Sequence, residues 1–166
     1  IICLCGHPGS YLANQIYQEG KFVNDRTIES KVKELQEIFG KQNTFVEIQL
    51  NDQTNEYQQN VGLKLRDFCK SRDIQTMASL DAHYCESQDS ADQRILLCSN
   101  LKLTLPQVAS KMSNDENFSM SSFFKSDQYH ILSHEEMHQV NTEQEIENTN
   151  LIDGMCEEYE ILNKPV

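Results

Sequence analysis

Two β-rich runs separated by one amphipathic helical pattern constrain this chain more than any other feature. Thr44-Phe-Val-Glu-Ile-Gln-Leu50 alternates and is rich in strand-forming residues. A polar bridge follows, then a pattern from about Asn55 to Ser71 in which Tyr57, Val61, Leu65 and Phe68 share one helical stripe. A second apolar run, from Ile74 to Leu80, ends in Asp81-Ala-His83. A strand, a long helix and another strand predict a parallel pair, because parallel neighbours need a crossover connection.

The upstream sequence extends this reading. Ile1-Ile-Cys-Leu-Cys5 is strand-like and runs into Gly6-His7-Pro-Gly-Ser10. Ser10 to Gln18 predicts a short helix, with Gly20 just past its end. Arg26 to Phe39 predicts a second helix, striped by Ile28, Val32, Leu35, Ile38 and Phe39 and stopped by Gly40. The order strand-helix-helix-strand-helix-strand therefore predicts an α/β fold with parallel strands and helical crossovers. Three visible strands are too few to close a barrel. The chain starts within a strand, without an initiator Met, and ends at Lys164-Pro165-Val166 without a cap. Both features lead us to expect a segment of a longer polypeptide.

Beyond His83 the pattern changes. Ala91 to Asn100 predicts a helix with Ile95, Leu96 and Cys98 apolar. The polar stretch from Ser110 to Ser122 reads as a mobile loop. Tyr129-His-Ile-Leu132 reads as a short strand. Ser133 then caps a short helix through Val140, and Glu136 completes a capping box. A last helix is expected from about Glu143 to Tyr159, with Ile146, Leu151 and Met155 apolar.

Composition narrows the function. A net charge of -12 repels phosphate backbones, so any nucleic-acid partner is expected to touch another part of the assembly. Hydrophobic content is 38%, with no membrane-length apolar run, so no membrane partner is expected. The 6 cysteines are scattered. Cys69, Cys98 and Cys156 fall in helix-like stripes, which suggests reduced, mostly buried thiols in a cytoplasmic protein. Cys3 and Cys5 share one side of their strand, where core packing is the commoner use.

The chemistry-bearing residues lie at strand ends. Asp81 and His83 would share a face if strand pairing continued through them. His7 enters a Pro-Gly turn at the end of the first strand. Strand ends are where open α/β sheets and barrels carry their sites. His7, Asp81 and His83 together suit Zn²⁺, Mn²⁺ or Fe²⁺. Each also has a local role to fill, in a turn or a cap. His134-Glu135-Glu136-Met137-His138 matches the H-E-x-x-H pattern of zinc peptidases. Its helix is barely two turns long with polar flanks, so Glu135 and Glu136 are read as serving the helix N-terminus.

Several segments, in order, resemble the C-terminal portion of a PHP (polymerase and histidinol phosphatase) domain from bacterial-type DNA polymerase III alpha subunits. They are Cys5-Gly-His-Pro-Gly-Ser-Tyr-Leu-Ala13, Glu37-Ile-Phe-Gly40 with Phe45-Val-Glu-Ile-Gln49, and Met77-Ala-Ser-Leu-Asp-Ala-His-Tyr84. Arg94-Ile-Leu-Leu-Cys98, Phe124 through Met137, Glu145-Ile-Glu-Asn-Thr149 and Asn163-Lys-Pro165 complete the match over nearly the whole chain. The resemblance implies a partial PHP-type distorted (β/α)7 barrel. Residues 1–85 would form the strand and helix part, and 86–166 the helical and loop part leading to a palm domain. It implies that His7, Asp81 and His83 are metal ligands, for Zn or Mn, in a site that is incomplete here.

No catalytic residue is expected within this segment, which alone is expected to be inactive. The parent would be a Mg-dependent DNA-directed DNA polymerase, and its PHP part would be structural or a metal-dependent 3′–5′ exonuclease. Implied partners are the N-terminal PHP half, palm and thumb of the same polypeptide, and a proofreading exonuclease subunit. Two alternatives are a free-standing PHP metal-dependent phosphoesterase and a non-catalytic PHP-like interaction domain. Against the first, the stretch from Phe124 to Pro165 resembles the replicases most densely.

Overall fold

A computed structural model describes residues 1–18, 20–115, 118 and 120–158. Its sheet is parallel and three-stranded, in the order β1 (Cys3–Cys5), β4 (Thr44–Gln49), β5 (Thr76–Ser79). The α/β class and parallel pairing match the sequence expectation. Among the described residues the sheet is open, and no closed barrel is formed.

The crossover from β1 to β4 carries α1 (Tyr11–Ile16), a small ribbon of β2 (Tyr17–Gln18) and β3 (Lys21–Phe22), and α2 (Asp25–Phe39). Ser10 starts α1, its Oγ accepting the Ala13 N–H at 3.1 Å. The helix ends at Ile16, earlier than the expected Gln18, because Tyr17 and Gln18 pair with Phe22 and Lys21 instead. The Tyr17 and Phe22 rings pack edge to face across that ribbon. Asn24 caps α2, and Gly40, at φ 90°, takes the chain out of it.

α3 (Glu56–Lys70) connects β4 to β5 and is capped by Asn55. Val61, Leu65 and Phe68 of α3 bury their stripe with Ile28 and Val32 of α2, against Cys5, Val46 and Ile48 of the sheet and Leu50 beyond β4. Each fully buried aliphatic side chain here stabilises the fold by about 1.5–3 kcal/mol. Gly62 lets α3 lie flush on β4, since a Cβ there would stand 2.7 Å from Leu50 Cδ2. Ile38 does not join the expected α2 stripe; it is 66% exposed near the helix end.

The C-terminal part is helical: α4 (Ser90–Leu101), α5 (Leu105–Asn114), α6 (Ser121–Lys125), α7 (His134–Val140) and α8 (Glu143–Met155). The expected mobile loop from Ser110 is corrected, because α5 continues through Asn114 and α6 begins at Ser121. A Thr104–Gln107 capping box and Pro106 start α5, while Val108 is its buried residue, so almost no apolar stripe announces it. The expected strand from Tyr129 reduces to one parallel bridge between Tyr84 and His130. In α4, Leu97 and Cys98 are buried, but Ile95 and Leu96 face out.

The α7 capping box is present as expected, with Glu136 and Ser133 exchanging hydrogen bonds. α8 ends at Met155, and the rest of its expected span, to Tyr159, partly lies outside the described residues. Its buried face is polar. Glu145 receives Nε and Nη2 of Arg66, each at 2.8 Å, and Asn148 donates to the Thr76 carbonyl at 2.6 Å. Removing one partner of such a pair costs about 3–5 kcal/mol, so this seam, rather than Leu151, docks α8 beside β5. The same arrangement leaves Cys156 exposed, contrary to expectation, whereas Cys5, Cys69 and Cys98 are buried. Among the described residues no helix is long and apolar enough to cross a membrane.

Candidate functional site

Because the three strands are parallel, their carboxyl ends share one edge of the sheet. His7 follows β1, Asn51 and Asp52 follow β4, and Asp81 and His83 follow β5. A cleft of about 400 Å³ opens there, lined by His7, Gln49, Asn55, Gln58, Asp81 and Tyr129, among others.

The His7 turn is fixed by its neighbours. Gly6, at φ 125°, approaches Glu47 so closely that a Cβ would meet its carbonyl oxygen at 2.6 Å. Ser10 closes the turn, its N–H donating to the His7 carbonyl at 2.8 Å and its Oγ accepting the Gly6 N–H at 3.1 Å. Tyr57 of α3 donates its hydroxyl to the Pro8 carbonyl at 3.0 Å. The His7 ring is exposed, and its Nδ1 accepts the Gly9 N–H at 3.1 Å.

Strand pairing stops at Ser79, so Asp81 and His83 are not related by the pleat as expected. A side-chain contact joins them instead, His83 Nε2 standing 2.9 Å from Asp81 Oδ1. The His83 ring packs on Phe123 at 4.5 Å and against Tyr129 at 5.9 Å. Thus His7 and Asp81 share the cleft, while His83 braces Asp81 from beside it.

The centre of the site was missed by sequence reading. Asp52 is fully buried: its Oδ1 accepts both N–H and O–H of Thr54, and its Oδ2 accepts the Tyr129 hydroxyl at 2.8 Å. Gln58 accepts the Asp52 N–H at 2.7 Å and donates to Asn51 Oδ1 at 3.3 Å. Asn51 in turn accepts the Asp81 N–H at 3.4 Å and donates to the Gln128 carbonyl at 2.9 Å. The Tyr129 carbonyl accepts the His83 N–H at 2.7 Å. Segment 127–130 is thereby stitched to the ends of both β4 and β5. Burial pushes the Tyr129 phenol above its ordinary range, and the adjacent Asp52 adds to that. The signal that could have found Asn51 and Asp52 was their place immediately after the Thr44–Leu50 run, the same argument that singled out Asp81.

His7, Asp81 and His83 do not form a three-ligand group among the described residues. Among the described residues no three His, Cys, Asp or Glu side chains converge as a metal-holding group. Nδ1 of His7 is engaged by Gly9, and Nε2 of His83 by Asp81. Among the described residues lining the cleft there is no Lys or Arg, so an anion placed there would need positive charge from elsewhere. What the lining offers is a carboxylate, an imidazole, side-chain amides and an aromatic flank. No family model and no curated protein matches this chain.

Proposed function

We propose that this chain is the C-terminal portion of the PHP domain of a replicative DNA polymerase III alpha subunit, a cytoplasmic DNA-directed DNA polymerase. The observation that carries the reading is that His7 and Asp81 line one cleft at the carboxyl ends of parallel strands, with His83 bonded to Asp81. The family resemblance assigns these same residues to its strand-end site. In this reading the segment is mainly a scaffold. It packs on the rest of the polymerase polypeptide, with a proofreading exonuclease subunit as a further partner, and DNA is held by other domains, in keeping with the -12 charge. A Zn or Mn centre would draw its other ligands from the N-terminal PHP half, and Mg²⁺ would serve the palm. The distorted barrel would likewise be completed by that half.

Primer extension by the full-length gene product tests the assignment. Template-directed incorporation of deoxynucleotides is the expected result, and its absence refutes the reading. That no three His, Cys, Asp or Glu side chains converge among the described residues supports a second reading, a non-catalytic PHP-like interaction domain. Asp81→Asn in the full-length product separates the two. A lower metal content and a 3′–5′ exonuclease rate reduced about tenfold or more support a catalytic PHP site, while an unchanged rate leaves the interaction role.

A further inference from the structure

His134 and His138 stand one turn apart on α7, away from the residues that line the strand-end cleft. Their Nε2 atoms face each other at 3.1 Å, and the rings meet edge to face with centroids 4.3 Å apart. Two nitrogens bound to one tetrahedral zinc at ~2.0–2.1 Å stand about 3.3 Å apart. The Nε2 atoms are therefore close to chelating distance, and the rings, now edge to face, need only turn apart so that both lone pairs meet on one ion. Glu143 Oε2 lies 3.3 Å from His138 Nδ1. A carboxylate there favours the proton on Nδ1 and leaves the lone pair of Nε2 pointing at His134, as in carboxylate–histidine–metal arrangements.

We propose that His134 and His138 form a two-imidazole chelate for a borderline divalent ion of the zinc, nickel or copper class. Water completes the coordination sphere, and Glu143 orients His138. The bound ion replaces the contact between the two Nε2 atoms, each lone pair turning toward it, and His134 then carries its one proton on Nδ1. Peptidase chemistry is not part of this site. The helix has only 7 residues, and among the described residues no third protein ligand joins the two imidazoles as a peptidase zinc would need. Imidazole donors select this ion class over Mg²⁺ or Ca²⁺, which take oxygen ligands.

Zinc titration of the 166-residue chain tests the proposal, with the exposed Cys85 and Cys156 replaced by serine to remove competing thiolates. Imidazole ¹⁵N spectra should show the Nε2 resonances of His134 and His138 moving together with the first equivalent of Zn²⁺. Those of His7, His83 and His130 should stay in place. By calorimetry, Glu143→Gln should weaken binding about tenfold, and His134→Ala or His138→Ala by more. Mg²⁺ should produce no shift. The proposal is overturned if the first equivalent moves other histidines and leaves this pair unchanged, or if both alanine variants bind zinc as the parent does. The spectra need no variant at the pair, so an unfolded α7 in either alanine protein would not blunt the test.

Discussion

Tyr129→Phe removes one hydroxyl from the centre of the strand-end network and changes little else in shape. That hydroxyl donates to Asp52 Oδ2 at 2.8 Å, and both residues are nearly or fully inaccessible to water. A hydrogen bond to a carboxylate acceptor is worth about 1.5–3 kcal/mol net, and its loss strands a buried lone pair that water cannot reach. For a domain of this size each kcal/mol moves the melting midpoint by ~2–4 °C, so the variant should melt about 3–12 °C lower. Urea denaturation should give the same loss with an unchanged slope, because the exposed area is unaltered. In an Asp52→Ala background the same substitution should cost less, since only the hydroxyl's contacts with Asn55 and Ser122 remain, giving a coupling energy of about 1–3 kcal/mol. Asp52→Ala alone should cost more than Tyr129→Phe, because it also releases the Thr54 N–H and O–H. A stability loss below ~0.5 kcal/mol for Tyr129→Phe, the range of inert surface changes, would refute the claim that this bond organises the site.

Gly6→Ala should destabilise the fold by about 2–6 kcal/mol, combining a glycine-only backbone conformation with a Cβ pressed on fixed main chain. A melting midpoint equal to that of the parent would show that the Gly6–Glu47 approach is looser in solution. Alkaline pH should weaken the fold through Cys69, whose thiol is pushed up to about 12 by burial, with Glu145 adding to the effect. Below the unfolded value of 9.0 both states hold the proton, and above it the unfolded thiol ionises first. Stability should therefore fall between about pH 9 and 12, by ~4 kcal/mol in all from this group. Cys69→Ala should flatten that decline relative to its own stability at pH 8, and identical slopes in the two proteins would sink the assignment.

The first half of the chain was legible because its apolar pattern and its burial coincide. Val61, Leu65 and Phe68 bury at the expected spacing, and Val46 and Ile48 alternate into the same core as Leu50. The second half was less legible because it is held by polar contacts that no hydrophobic period reports. α8 docks through Glu145 and Asn148, so its apolar Leu151 misled the reading of its face. α5 hides behind polar residues, marked locally by its capping box and Pro106 rather than by an apolar stripe. Position after a strand was enough to place His7 and Asp81 at one edge of the sheet, with His83 beside Asp81. It did not reveal Asp52 and Tyr129, whose contact joins residues 77 positions apart.

The strand order decides what kind of ligand this edge can take. β1 and β5 flank β4, so the tips bearing His7 and Asp81 are two strand spacings apart, about 10 Å. Metal–ligand bonds of ~2.0–2.2 Å cannot bridge that gap unless both side chains lean inward over the tip of β4. The space over that tip is held by Asn51 and Gln58, neutral amides committed to each other and to Asp52 and Asp81. A compact ion shared by His7 and Asp81 therefore requires both side chains to turn inward and displace these amide contacts. An elongated polar ligand, by contrast, can reach His7 at one end and the Asp81–His83 pair at the other while lying across the amides.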